Sequence, residues 1–193
     1  MIARNPSPAP SRERVSMERT AMLDEVDEGW LNRRYYGGDL PPEAERFLHL
    51  AAANHADAEA AERHLARAAE LAPGHRLVDL GHYKFHFYKA NLDTALLYGE
   101  RMLGHAMAAI GLNHTDWRTV GPDHGDFAGL EPAPRLFLFA LTAVGYLHLR
   151  LGRLAEGREA LNKVRDLDPK DRFGTTRLLA AADRHEAGPE DDA

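Results

Sequence analysis

At 193 residues, with 44% hydrophobic and 28% charged residues, the chain has the size and mix of one globular domain that can bury its own core. A net charge of -6 and a pI near 6.0 argue against a general affinity for nucleic acid, which needs clustered Lys and Arg to displace counterions. The absence of cysteine excludes disulfides, thiolate metal sites and cysteine nucleophiles, so any metal would have to be held by His and carboxylates.

No apolar run approaches the roughly 18 residues that span a bilayer, and no apolar stretch follows the basic residues of the N-terminus. A cytoplasmic protein with neither a membrane nor a nucleic-acid partner is expected. Ala, Leu and Arg dominate and β-branched residues are scarce, which favours helix throughout.

Residues 1–15, with Pro6, Pro8 and Pro10 and little to bury, read as a disordered tail. A single domain is expected over 16–186. Its first helix starts from Ser16, carries Leu23, Val26, Trp30 and Leu31 at helical spacing, and stops at Gly37-Gly38. Trp30, Tyr35 and Tyr36 would make it a cap on the helices after it.

Pro41-Pro42 opens the next helix, and Asp57 caps a third that runs to Leu71 before Ala72-Pro73-Gly74. Helices are then predicted over 76–89 and 92–110 with a tight joint at Ala90-Asn91, so the two should be antiparallel neighbours. Residues 111–132 are rich in Gly, Pro and charge and read as a long loop insertion. Helices over 134–151, 154–167 and 172–185 come next, and the acidic end 187–193 reads as a second disordered tail.

Helix pairs bury their faces by stacking, so an internal repeat is sought. In AERHLARAAELAPG, residues 61–74, small Ala61 and Ala68 flank large Leu65, with Leu71 and Pro73 at the closing turn. The form recurs in GYLHLRLGRLAEGREALNKVRDLDP, where Gly145 and His148 precede Gly152, and Gly157, Leu161, Val164, Leu167 and Pro169 come after it. Ala95 lies 34 residues after Ala61, and Gly157 lies 62 residues after Ala95, an excess that is about the size of the insertion. In the middle unit Tyr83 stands where a small residue should be and Gly99 where a large one should pack, so the helices must approach differently there.

On these residues, the chain from about 42 to 170 resembles the tetratricopeptide repeat family, with about three repeats and an insertion between the second and third. The resemblance implies an all-α helical-hairpin solenoid with extra helices at both ends. It also implies a protein or peptide partner received in a concave groove, and a non-catalytic adaptor or scaffold role. In that register the first helices of the repeats place Lys84 and Tyr88, and the equivalent Tyr146 and Arg150, on the groove. Each pair is spaced i, i+4, and together they offer two cations and two phenols to a carboxylate. Arg46, Leu50 and Asn54 would continue the lining, with the insertion as one wall. Against this stands the plain reading that the cations solvate a helix face.

A second reading, a metal- or cofactor-handling accessory protein, rests on His82 and His86. Their H-x-x-x-H spacing lets both imidazoles reach one divalent ion, with His114 and His124 of the insertion as further ligands beside Asp116, Asp123 and Asp126. No general-base Glu sits inside that motif, and packed core histidines are the plainer alternative. No cofactor is expected on the first reading. Trp117 and Phe127 read as anchors of the insertion, and the run Tyr83, Phe85, Phe87, Tyr88 as inter-helix packing. A third reading is self-association through the ends of a short solenoid. No P-loop, G-x-G-x-x-G or G-x-S-x-G motif is present, so an enzyme is not expected.

Overall fold

A computed structural model describes residues 39–113 and 115–187, so the predicted tails and first helix, with Trp30, Tyr35 and Tyr36, lie outside the described residues, as does His114. The described chain is all-α. In chain order it forms α1 (Pro42–Ala53), α2 (Ala58–Leu71), α3 (Arg76–Tyr88), α4 (Leu92–Ala109), α5 (Pro132–Arg150), α6 (Leu154–Leu167) and α7 (Thr175–Ala187). Two short 3-10 turns, Trp117–Thr119 and Pro122–His124, lie between α4 and α5. Among the described residues there is no strand, and no helix is long and apolar enough to cross a membrane.

The predicted punctuation sets these elements. Asp57 caps α2 by accepting a hydrogen bond from the Ala60 amide at 3.0 Å. Proline begins α1 and α5. Helix α5 starts at Pro132, two residues before the prediction, because Pro132 and Pro134 both fall in the first turn, where amides have no intrahelical partner to lose. Helix α7 starts three residues later than predicted. The amide and guanidinium of Arg172 are instead bound to Asp168, at 2.7 and 2.9 Å, and Asp171 accepts from the Thr175 hydroxyl at 2.8 Å. The joint between α3 and α4 turns on Ala90, at φ 59, at the position where the α5–α6 joint has Gly152, at φ 75.

Each helix packs chiefly on its neighbours in sequence, from α1 on α2 through to α6 on α7. Leu40, Ala44, Ala68 and Val78 form a small core under α1 to α3, and a larger one built on Leu96, Phe137, Leu138, Leu141, Leu147 and Val164 joins α4, α5 and α6. Within hairpins, close approach is achieved by pairing large with small. A Cβ on Gly145 would lie 2.9 Å from Leu161 Cγ, and one on Gly157 would lie 2.9 Å from the Gly145 carbonyl oxygen. In the hairpin of α3 and α4 the sizes are exchanged. Tyr83 is buried, and a Cβ on Gly99 would meet it at 3.8 Å, so the small residue lies on the second helix instead of the first. This exchange is the different approach that the sequence demanded.

The insertion is ordered against α6 and the α6–α7 joint. Arg118 forms a two-pronged ion pair with Glu159 at 2.6 and 2.7 Å. Lys163 Nζ donates to the Val120 carbonyl at 2.9 Å. Arg172 donates to the carbonyls of Phe127, Ala128 and Gly129. Val120 and Phe127 are buried, with Phe127 edge-on to Phe137, so Phe127 is an anchor as expected. Trp117 is only partly buried, under the Arg118 guanidinium at 4.5 Å.

Candidate functional site

Two clefts receive the residues that the repeat register points to. The first, of about 490 Å³, opens between α1 and α3. Its floor is apolar, with Leu48, Ala51, Leu65, Leu77 and Leu80, and deepened by Gly81, where a Cβ would press on Leu48 and Leu65 at 3.0 and 3.3 Å. Its rim carries Lys84, Lys89, Tyr88 and His55. The second cleft, of about 380 Å³, lies between α5 and α7 and holds Tyr146, Arg150, Leu178 and His185. There Arg150 donates to the Tyr146 hydroxyl at 2.8 Å, so the i, i+4 pair meets as predicted.

Lys84 and Tyr88 thus line one cleft and Tyr146 and Arg150 another. Phe87 joins them, 5.6 Å from the Tyr88 ring and 5.9 Å from that of Tyr146. Among the described residues neither cleft is lined by a carboxylate, although the chain carries a net charge of -6. Tyr88 is 81% exposed, so of the aromatic run it is not a packing residue, while Tyr83 is.

Other expectations are corrected. Arg46 and Asn54 line neither cleft. From α1 the lining comes from Leu48, Ala51 and Ala52, an i, i+3, i+4 stripe that leaves 46 and 50 on another face, and His55 continues it from the turn after the helix. The Asn54 amide instead donates to its own helix at Leu50 O, 2.9 Å. The insertion is no wall of these clefts, since none of its residues lines either. Sequence reasoning also missed Lys89 and His55, although Lys89 comes one residue after the stripe of Leu77, Gly81, Lys84 and Tyr88.

His82 and His86 face the other side of α3, each 9% exposed. Their rings lie parallel, 6.0 Å apart, with the Tyr98 ring of α4 stacked 4.4 Å from His82 and 5.9 Å from His86. One turn away, Asp79 is buried and meets His105 Nε2 at 2.8 Å and Arg101 at 3.6 Å, while Arg101 lies over Tyr98 at 5.0 Å. Among the described residues both ring nitrogens of His82, and Nδ1 of His86, are buried with no partner in hydrogen-bonding geometry. Burial, reinforced by His86, pushes the His82 imidazole down to about 4, and burial also lowers His86.

In the insertion, His124 Nδ1 accepts from the Gly121 amide at 3.0 Å, Asp116 Oδ1 from the Arg118 amide at 3.0 Å, and Asp126 from the amides of Ala128 and Gly129. These side chains brace turns. Among the described residues no three His, Asp or Glu side chains gather in a way that could hold a metal ion.

A third cleft, of about 440 Å³, opens between α4, α5, α6 and the turn Trp117–Thr119, away from the other two.

No protein-family profile and no solved structure matches the chain. A relative, the uncharacterized 19.8 kDa protein in nifW 5'region of Azotobacter chroococcum mcd 1, is 34% identical over 129 residues, which cover 66% of this chain and 72% of the relative.

Proposed function

We propose that the chain, which belongs to the same family as that Azotobacter chroococcum protein, is a non-catalytic adaptor of the tetratricopeptide kind, which receives a short protein segment along the α1, α3, α5, α7 face. The observation that carries the reading is charge set against apolar depth: a cleft floored by leucines, rimmed by Lys84 and Lys89 and, among the described residues, lined by no carboxylate, in an acidic protein. Such a cleft favours an apolar side chain flanked by carboxylates. Arg150 and Tyr146, reached across Phe87, take a second acidic group. The relative is named for its position 5' of nifW, so the nifW product is the first partner to try.

The test is capture of partners from the source cell by the native protein and by a Lys84→Glu, Arg150→Glu variant, with purified nifW product as a direct bait. Both positions are exposed, so the variant keeps its helical circular dichroism and melting temperature. Expected is the loss of at least one captured protein, with affinity falling ten-fold or more as two cation contacts become repulsive. Identical material on both proteins, or none on either, defeats the groove reading.

A further inference from the structure

The third cleft has the opposite character. Glu100 of α4 and Glu156 of α6 stand on it, and neither makes a hydrogen bond or ion pair among the described residues. The cations nearby are already engaged: Arg118 by Glu159 and Asp116, and Arg153 by Asp93 at 3.1 Å. Beside the two carboxylates the lining offers apolar, soft surface from Leu103, Met107 and the Trp117 indole. That indole already accepts one cation, Arg118, over its ring. At the floor, His148 Nδ1 is buried with no hydrogen-bond partner.

The fourth feature is Gly104. It lies in the middle of the 18-residue helix α4, where glycine costs about 1 kcal/mol relative to alanine. At the buried helical glycines among the described residues, Gly99, Gly145 and Gly157, an added Cβ would touch a neighbouring helix. Gly104 is exposed instead: a Cβ there would meet nothing within 4 Å, and the residue lines the cleft. Its lack of a side chain leaves that part of the cleft open.

We propose that this cleft is a second binding site, separate from the groove, for a small aliphatic amine or guanidine. Its charged ends lie against Glu100 and Glu156, its methylene stem covers Met107 and the indole of Trp117, and His148 Nδ1 supplies a neutral polar contact at the floor. A volume of about 440 Å³ suits a ligand of this size, and the two carboxylates favour a diamine or an amino-guanidine over a monocation.

Isothermal titration of the full chain with agmatine and with cadaverine tests this, with pentylamine as the monocation and 1-pentanol as the uncharged probe. Saturable binding is expected for agmatine and cadaverine, weaker for pentylamine, absent for pentanol, and declining with salt. A Glu100→Gln, Glu156→Gln variant is expected to lose ten-fold or more in agmatine affinity. Gly104→Met should abolish binding by filling the cleft while the melting temperature stays the same or rises, because the added side chain enters open space and improves the helix. Lys84→Glu, Arg150→Glu should leave agmatine binding unchanged, which separates this site from the groove. The proposal is overturned if agmatine shows no saturable binding in the millimolar range, or binds the Glu100→Gln, Glu156→Gln variant as tightly as the native protein, or binds Gly104→Met unchanged.

Discussion

His82 shows how a residue read for one chemistry can be occupied by another. The H-x-x-x-H spacing was visible, but spacing alone does not say what stands across from a helix face. Here it is Tyr98, parallel to both rings. The consequence is a pH dependence of stability. The unfolded His82 takes its proton near 6.5 and the folded one near 4, so between those values the unfolded state binds more protons and stability falls as the pH falls. His86 and His148 shift the same way, with burial first among the causes. Unfolding free energies from urea titrations should decline from pH 6.5 to pH 4 by about 2 kcal/mol, allowing for relaxation around the ring, since one pH unit is worth about 1.4 kcal/mol. His82→Phe, which keeps the stack on Tyr98, should remove most of that slope. A slope unchanged in His82→Phe would place its origin elsewhere.

At the scale of the helix, most of the architecture was legible because local signals agree: Asp57 as cap, prolines at helix starts, and apolar periodicity. What escaped depends on tertiary partners. The start of α7 moved because Arg172 was recruited by Asp168 and by carbonyls far back in the chain, a use that no local pattern announces. The groove stripe on α1 runs through Leu48 and His55 instead of Arg46 and Asn54, because repeat arithmetic fixes positions along the sequence and not the rotation of each helix about its axis. The exchange of Tyr83 and Gly99 was visible as an anomaly but became a mechanism only once the two were seen to face each other. At Gly157, where a Cβ would lie 2.5 Å from Leu149 Cδ2 and 2.9 Å from a backbone oxygen, the helices cannot close over any side chain. Gly157→Ala should cost about 1–3 kcal/mol in urea unfolding despite its better helix propensity. A neutral or stabilising result would mean that the α5–α6 hairpin opens more readily than its packing implies.

Across the whole molecule, charge is sorted by face. Among the described residues the charged groups of the α1–α3 and α5–α7 clefts are Lys84, Lys89 and Arg150, whereas Glu100 and Glu156, with the ion-paired Arg118, mark the third cleft on another surface. The third cleft also depends on the insertion, and the insertion depends on Arg172. Arg172→Met keeps the stem but removes the guanidinium, so hydrogen exchange should accelerate at amides 118–130 while α1 to α4 remain as protected as before. Equal protection in both proteins would show that Phe127 and Val120 hold the loop unaided. None of this sorting could be read from the sequence, because the cations and carboxylates are interleaved along it and separate only when helices are placed side by side.

The order in which the helices pack also bears on how the chain reaches this state. Since each helix rests mainly on its immediate neighbour in sequence, little loop-closure entropy has to be spent before packing rewards it, and folding can begin at any hairpin and spread outward within milliseconds. The insertion is an exception, tied back by Arg172 across 43 to 45 residues, by Lys163 across 43 and by Glu159 across 41. Its contacts belong late in folding and early in unfolding, so the cleft beside Trp117 is assembled last and is the first to be lost.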